Sequence, residues 1–409
     1  MKKILIVFVT GIIHQSVFSQ GGLNSIYSAY GIGDVELRDK NGYAGMSGAG
    51  IALPSTTTLN ELNPASYGHF PYSRFMFELN FGGKSSNYKS GDTRTSGADF
   101  TVQRAAMGFS LFKGLGTAFG LKRYSTIDYR TTSNRYIIGT ESKLQTQING
   151  SGGLYQFFVS NGYSISKNLQ LGVSLGYLFG SVNKKEIVET NIQTLHITQN
   201  QNYTRMLYNT GIQYTIPLKN GKWTIGLTYQ PGRLLQKMED NYVTDGDGNE
   251  LVSEEAAVAD FNYPAKIGAG LAYSRKEWKW TVDMVQQRWG SVNYKGAGFT
   301  TDNGTNLVAG FSKSSTRKTP FGSIPGKTFM AALEYDQSYL VLAGNPIQTI
   351  AGSMGMTFPS KNGAYYYHFG LKAGQRGQSA YPLVREQFFE TQFAISLGSL
   401  MYKGGRKYD

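Results

Sequence analysis

The sequence predicts an all-β fold: a transmembrane antiparallel up-and-down β-barrel of about 14 strands with an N-terminal plug in the lumen. Three observations predict it. Apolar and polar residues alternate in segments of about ten residues, short and long connections alternate, and glycine and aromatic residues are frequent. The 409 residues include 51 Gly, 28 Tyr and 23 Phe but only 11 Pro, which suits one long meander of strands. Beyond residue 19 no apolar run approaches the roughly 18 residues of a membrane-spanning helix, so a helical membrane protein is excluded.

The N-terminus has the pattern of a cleaved signal peptide over residues 1–19. Two lysines precede an apolar run at residues 4–13, and Val17 and Ser19 form a small-residue cleavage pattern. An uncleaved anchor is the alternative, although the run is too short to span a bilayer. The chain contains no Cys, which excludes a lipoprotein anchor, disulfides and thiolate metal sites. An exported chain with membrane strands is expected to be a multi-pass β-barrel of the bacterial outer membrane.

The alternation is clearest in the segment that begins at Leu169. One face is apolar and consists of Leu169, Leu171, Val173, Leu175, Tyr177 and Phe179. The other face is small or polar, apart from Leu178, and contains Gln170, Gly172, Ser174 and Gly176. A soluble β-sandwich, the alternative, would show a charged and varied outer face. The apolar face is therefore expected to contact lipid, and the other an enclosed interior.

The connections predict the layout of the barrel. Fourteen segments are expected to begin near residues 72, 99, 116, 153, 169, 205, 222, 263, 277, 327, 338, 348, 364 and 385. Short turns rich in Gly, Asn and Lys occur at residues 113–114, 166–168, 219–222, 275–277 and 360–363. Long polar connections occur at about residues 83–97, 130–150, 183–202, 236–260 and 291–325. The side with short turns is expected to be periplasmic. Asn345-Pro346 weakens one segment, so twelve strands remain an alternative.

Residues 20–70 lack long alternation and are rich in glycine. A barrel of about fourteen strands has a lumen wide enough to admit such a segment, so we expect a plug there. A periplasmic tail is the alternative. The barrel is expected to cover residues 71–402, and residues 403–409 form a short tail.

Short motifs connect this layout to a known family. The glycine-rich run at residues 45–52 and the run Asn-Glu-Leu-Asn-Pro-Ala-Ser at residues 60–66 resemble the N-terminal region of the FadL/TodX-type outer-membrane β-barrel transporter family. The closing region, from Gly-Gln-Arg-Gly at residues 374–377 to the aromatic strand end at residues 393–398, is similar as well. The resemblance covers the mature chain in layout, while its motifs are short.

The resemblance implies a plugged fourteen-stranded barrel for the passive movement of hydrophobic small molecules, such as long-chain fatty acids or hydrocarbons. Such ligands leave sideways through a gap in the barrel wall. The plug segment of this chain has no apolar binding stripe. The alternative is therefore a non-transporting accessory barrel that binds outer-membrane protein partners in a larger complex.

The candidate site residues fall into two groups. Asn63, Pro64 and Ala65 form the Asn-Pro-Ala motif. Pro64 can fix a tight turn with Asn63 bonded to its own backbone, so the motif either shapes the plug or contributes to a ligand site.

The second group consists of polar residues expected to face the lumen: Glu78, His368, Lys372 and Arg376. A buried charge needs a partner, so the three charged residues either pair with one another or hold the plug, and Arg376 could instead bind a ligand carboxylate. His368 is expected to be a hydrogen-bonded lumen residue, because no nucleophile and orienting group are spaced to make it catalytic.

No enzyme, cofactor or metal site is expected. Residues 245–250 have oxygen ligands spaced as at the start of a calcium loop, but position 256 is Ala256 and the run also suits a hairpin tip. The net charge of +13 is attributed to contacts with lipid and lipopolysaccharide headgroups rather than to nucleic acid.

Overall fold

Fourteen antiparallel strands form a closed barrel in the computed structural model, which confirms the predicted fold class. The structure describes residues 25–136, 143–189, 193–292, 294–296, 298–319, 322–361, 363–380 and 382–400. The signal peptide expected at residues 1–19 and the tail at residues 403–409 lie outside the described residues. Closure is made by the first and last barrel strands, which pair from Lys89 with Arg385 to Arg74 with Leu400.

The barrel strands are numbered together with the strands outside the wall. The wall consists of β2 (Arg74–Ser90), β3 (Thr93–Phe112), β4 (Leu115–Tyr136), β5 (Lys143–Ser164), β6 (Leu169–Glu189), β7 (Thr194–Leu218), β8 (Gly221–Gln230), β11 (Lys266–Arg275), β12 (Trp278–Gln287), β15 (Gly304–Thr319), β16 (Gly322–Leu342), β17 (Asn345–Pro359), β18 (Tyr365–Arg376) and β19 (Arg385–Leu400). Outside the wall lie β1 (Asp34–Val35), β9 (Arg233–Asp245), β10 (Glu250–Tyr263), β13 (Lys295–Gly296) and β14 (Phe299–Thr301).

Helical structure is limited to short 3₁₀ segments. They are Ile26–Ala29, Ala44–Met46, Pro64–His69 and Trp289–Ser291. In the described part of the chain, no helix has the length and apolar character needed to cross a membrane.

The two faces of the wall follow the predicted alternation. On β6, Leu171 and Leu175 are 41% and 52% exposed on the outer face, whereas Gln170 and Ser174 are 1% and 2% exposed on the inner face. Leu178, the apolar exception on the inner face, is fully buried. The outer face is apolar because it meets hydrocarbon, in which each unsatisfied polar group costs several kcal/mol.

The two ends of the barrel differ. At one end, here the turn end, β3, β5, β7, β11, β15 and β17 end and β4, β6, β8, β12, β16 and β18 begin, with short turns at residues 113–114, 165–168, 219–220 and 276–277. The opposite end, here the loop end, carries the hairpin β9–β10 and the ribbon β13–β14. At the loop end β9 takes the place of β8 beside β7, because β7 pairs with β8 over residues 210–218 and with β9 over residues 195–204.

The predicted count of fourteen strands is correct, but two errors in it cancel. One strand of the wall was not predicted, and another was predicted as two strands. Residues 304–319 were expected to lie in a long connection, but they form β15. Segments expected to begin near residues 327 and 338 are one strand, β16. The second half of β15 is polar on both faces, so it carries no alternation. Asn345-Pro346 begins β17 directly after a tight turn in which Ala343 and Gly344 have φ values of 43° and 82°.

The other expected long connections were also largely wrong. Strand residues occupy most of the described part of residues 83–97, 130–150, 183–202 and 236–260. These paired strand ends lie at the loop end, where both faces of the sheet can carry Thr, Asn and Gln. Without a buried face, period-two alternation disappears while backbone pairing remains.

Candidate functional site

Residues 25–73, called the N-terminal segment below, contact several strands of the wall. At its start the backbone N–H of Ser25 donates to the carbonyl of Asp128 near the loop end, at 3.4 Å. In its middle Gly45 lies against Gly355 of β17 so closely that a Cβ on Gly45 would be 2.6 Å from the Gly355 Cα. The segment ends near the turn end, where β2 begins at Arg74. Its contacts with the wall therefore extend from near the loop end to the turn end.

A wall carboxylate binds the backbone of the segment. Asp283 of β12 is fully buried, and its Oδ2 accepts from the N–H groups of Gly50 and Ile51 at 2.7 and 2.9 Å. The same oxygen is 3.4 Å from Nη1 of Arg38, another residue of the segment. A buried carboxylate with two N–H donors and a cation is satisfied, so this contact fixes the segment to the wall.

A second buried cluster joins the first two barrel strands to the segment. Nη1 of Arg104 donates to Glu78 Oε1 at 2.9 Å and to the carbonyl of Leu59 at 3.0 Å. Asp39 lies 3.6 Å from Nε of Arg104. Glu78 also accepts from the Thr58 hydroxyl at 2.5 Å and the Leu59 N–H at 3.2 Å. Glu78 thus pairs with Arg104 and contacts the segment, rather than pairing with Lys372 or Arg376.

Glu61, which was not among the predicted site residues, is a carboxylate of the segment that binds hydroxyl groups of the wall. Its carboxylate accepts from the hydroxyls of Ser160 on β5 and Ser174 on β6, at 2.6 and 2.5 Å. The Tyr67 hydroxyl donates to it at 3.2 Å. Burial and the Glu61 charge raise the pKa of Tyr67 well above its usual range, so the phenol keeps the proton that it donates.

The predicted site residues Arg376 and Lys372 form ion pairs near the loop end, one with the N-terminal segment and the other with the wall. Arg376 pairs with Asp34 of the segment at 2.7 Å. Burial would raise the pKa of Asp34, but the Arg376 guanidinium outweighs it and lowers this pKa. Lys372 pairs instead with Glu334 of the wall at 2.8 Å. The segment has its own lysine here, Lys40, whose Nζ is 3.8 Å from Glu390.

The Asn-Pro-Ala motif lies deep in the barrel. Asn63 caps the 3₁₀ segment Pro64–His69, its Oδ1 accepting from the Ala65 N–H at 3.0 Å. Its Nδ2 donates to the carbonyls of Ile51 and Ile212, at 2.8 and 3.2 Å. All three motif residues are fully buried, and their contacts shape the segment and join it to β7.

His368 is 3% exposed and lies between two wall hydroxyls. Nδ1 is 2.8 Å from Thr357 Oγ1, and Nε2 is 3.0 Å from Ser396 Oγ. Ser396 donates to Glu78 at 2.7 Å, so the carboxylate contacts the serine rather than the imidazole. This order differs from that of a catalytic triad, in which the carboxylate orients the base.

A buried apolar cluster lies at the loop end of the barrel. Its aromatic members include Trp289, Tyr339, Tyr263, Tyr124 and Tyr27. The Trp289 and Tyr339 rings stack with centroids 4.5 Å apart, and Tyr27 brings the start of the N-terminal segment into the same cluster. Aromatic packing of this kind adds about 0.5–1.5 kcal/mol per pair beyond area burial.

The space that remains inside the barrel is small and polar. Two lumen cavities of about 80 and 160 Å³ are lined by charged residues such as Lys40, Lys84, Lys372, Glu36 and Glu390. Ligand sites for drug-sized molecules usually measure about 300–1,000 Å³ and are mostly apolar. A larger, hydroxyl-lined vestibule of about 350 Å³ opens at the turn end. An apolar hollow of about 730 Å³ includes the outward-facing Leu333 and Met354.

The wall has a gap between β3 and β4. Their pairing runs from Phe112 with Leu115 up to Arg104 with Lys122 and goes no further, although both strands continue. Above this point β4 pairs with β1 of the N-terminal segment, where Asp34 lies opposite Thr126. The strand has therefore bent inward.

The lumen side of the gap is charged. Asp99 of β3 and Arg123 of β4 face each other across it, with Arg123 Nη1 and Asp99 Oδ2 3.9 Å apart. Both residues line the smaller lumen cavity. The position of the gap could not be predicted from the sequence, because it depends on which strand the segment pairs with.

Solved structures with the same fold are outer-membrane proteins of the FadL type. A FadL homologue of Pseudomonas aeruginosa has a TM-score of 0.60 at 13% identity, covering 88% of this chain and 98% of its own. The toluene transporter TbuX of Ralstonia pickettii has a TM-score of 0.57 at 14% identity, covering 86% and 96%. The Pseudomonas putida toluene transporter TodX has a TM-score of 0.57 at 15% identity, covering 90% and 100%. These similarities confirm the fold.

No curated protein matches the chain significantly. The sequence model of one family, BamG, matches residues 1–409, the full length. The chain therefore belongs to the BamG family.

Proposed function

We propose that this chain is a non-transporting accessory barrel that binds protein partners in a larger outer-membrane complex, with the N-terminal segment as a fixed plug. Under this proposal the turn end faces the periplasm, and residues 1–19 are removed during export. The outer wall contacts lipid and lipopolysaccharide. No catalytic role is proposed.

The observation that carries the proposal is the small and charged space left inside the barrel. A carrier needs a path wide and apolar enough for its ligand, but the lumen cavities of about 80 and 160 Å³ are lined by charged side chains. Moving the segment aside would separate buried ion pairs such as Arg104 with Asp39. Breaking one buried pair typically costs about 3–5 kcal/mol.

Membership of the BamG family supports the same proposal. The matching family is not that of the transporters that share the fold. The match is a hint of an accessory role. Fold alone does not decide function, because one barrel architecture serves unrelated tasks.

Extraction in mild detergent tests the proposal. The tagged chain, expressed from its own promoter, is solubilised and its assemblies are weighed by native mass spectrometry. We expect a stoichiometric complex with at least one other outer-membrane or periplasmic protein. A single-component species in several mild detergents would contradict it.

The wall gap favours a second candidate function, passive uptake of a hydrophobic small molecule. Neighbours with this fold include toluene transporters, and a gap between β3 and β4 offers a lateral route. A ligand of the fatty-acid or hydrocarbon class would then have to displace the segment near Asp34 and pass the charges of Asp99 and Arg123. Native mass spectrometry of delipidated protein with such ligands distinguishes the two functions, because an accessory barrel binds none of them in its lumen.

A further inference from the structure

The turn end of the barrel carries a dense set of exposed cations. They are Lys113, Lys167, Lys219, Lys222, Arg275, Lys276, Lys313, Arg317, Lys327 and Lys361. Among the described residues of the same turns and adjoining strand ends, the only acid is Glu277. None of the salt bridges in the described part of the chain involves these cations. Lys313 lies over the Trp278 ring and Arg317 donates to the Ser360 carbonyl, but neither contact neutralises the charge, so this end presents positive charge to its surroundings.

One hairpin extends beyond the rest of this end. β15 and β16 remain paired from Ser314 with Thr328 to Thr319 with Gly322. On the β12 side, pairing with β15 ends where Trp278 lies opposite Lys313. The paired strand ends at residues 314–319 and 322–328, called the arm below, thus extend past the neighbouring β12.

The arm reaches further than lipid headgroups do. The aromatic residues Trp278, Phe311 and Phe329 lie at its base, where a membrane interface is expected. From Lys313 to Thr319 a strand advances about 20 Å, or about 15 Å along the membrane normal at a tilt near 40°. The headgroup region of one leaflet is only about 5–8 Å thick. A partner in the periplasm, rather than lipid, is within reach of the tip.

The two edges of the arm are not equivalent. Pro325 lies on the β16 edge and has no N–H to donate, which blunts that edge against pairing. On β15, in the described structure, residues 315–319 have no pairing partner on the side away from β16. An open strand edge of this kind is where an extended peptide can add as a further strand. Arg317 on this strand and Lys327 on β16 are both exposed and supply positive charge near it. Arg317 Nη1 also donates to the Ser360 carbonyl across β16, at 3.3 Å.

We propose that the β15 edge of the arm binds an extended acidic segment of a periplasmic partner protein as an added strand. The partner's main chain pairs with residues 315–319, and its carboxylates face Arg317 and Lys327. The inference rests on the proposed function, since it assumes that the turn end is periplasmic and that the barrel has partners.

Peptide binding to the full mature chain tests the inference. The chain is reconstituted in nanodiscs of phosphatidylcholine, so that no anionic lipid is present. The probe is a fluorescein-labelled octapeptide of alternating Glu and Val. We expect the double variant R317E/K327E to weaken its binding at least tenfold. The matched control K113E/K167E, which reverses two exposed charges on other turns of the same end, should change binding less than twofold. Methylation of alternate peptide nitrogens should also weaken binding at least tenfold, because strand addition needs those N–H groups.

Three results would overturn the inference. The first is equal loss in both double variants, which indicates a diffuse charge effect. The second is unchanged binding of the methylated peptide. The third is binding of vesicles containing phosphatidylglycerol, lost in R317E/K327E, with no peptide binding, which assigns the arm to lipid.

Photo-crosslinking in cells separates this inference from the proposed function. A benzophenone amino acid at Thr316 should form one protein adduct that disappears with R317E/K327E and persists with K113E/K167E. If native extraction yields a complex but this adduct is missing, the arm inference fails and the accessory role stands. A single-component extract together with charge-dependent peptide binding supports the arm and removes the accessory role.

Discussion

The interior of the barrel and its turn end are both rich in charge, but their charges are partnered differently. Inside, Arg104 and Asp283 are each held by several groups of opposite charge or by backbone dipoles. At the turn end, exposed residues such as Lys113 and Lys167 form none of the salt bridges in the described structure. Burial makes an unpaired charge expensive, whereas water removes that penalty at the surface. The interior charges therefore hold the N-terminal segment, while the turn-end charges remain available for recognition.

The largest effect is expected where this contrast is strongest, at Arg104. In Arg104→Met the carboxylates of Glu78 and Asp39 stay buried without their cation, so we expect a loss of about 3–5 kcal/mol of unfolding free energy. Urea unfolding of the refolded barrel in detergent, followed by Trp fluorescence, measures it. Arg317→Met, which removes an exposed arginine of the turn end, is the control and should shift the midpoint little. Equal midpoints for both variants would mean that the interior charges do not hold the structure.

A smaller but more specific effect is expected for Asp283→Asn. The amide has roughly the same shape as the carboxylate but lacks its charge, so the contacts with the Gly50 and Ile51 N–H groups and with Arg38 weaken. Loss of hydrogen bonds to a charged group costs about 1.5–3 kcal/mol. Loosening the segment should raise single-channel conductance in planar bilayers above the closed wild-type baseline. Glu250→Asn, at an exposed loop-end position, is the control. Equal conductance in the two variants would mean that Asp283 does not keep the lumen closed.

The same contrast explains what the sequence could predict. Alternation marks strands with one face in lipid, so the fold class and strands such as β6 were predictable. It fails where both faces are wet, which is why β15 and the loop-end ladders were missed. Inward-facing Glu78 and Arg376 stood out as charges in membrane strands. Their partners Arg104 and Asp34, and the contacts of Glu61, did not, since these pairings depend on the path of the N-terminal segment through the lumen.

Ligand binding sharpens the comparison further. If the lumen is sealed by partnered charges, saturating dodecanoate or toluene should raise the unfolding temperature of delipidated protein by less than about 1 °C, because a ligand stabilises only the state it binds. Differential scanning fluorimetry in a fixed detergent measures this. A concentration-dependent rise that Asp283→Asn enhances would instead favour the uptake function, with the segment as a movable gate.

The smallest effect is expected for the turn-end variant R317E/K327E. Both side chains are exposed, and surface substitutions usually change stability by no more than about 0.5 kcal/mol, so urea midpoints should match those of the wild type. Binding of the acidic peptide should nevertheless fall, and the residual binding should depend less on salt, because two fewer cations attract the peptide and salt screens each such attraction. Titrations at 50 and 300 mM NaCl give both slopes. If R317E/K327E unfolded as easily as Arg104→Met, the turn-end charges would be structural too, and the distinction between the two regions would be lost.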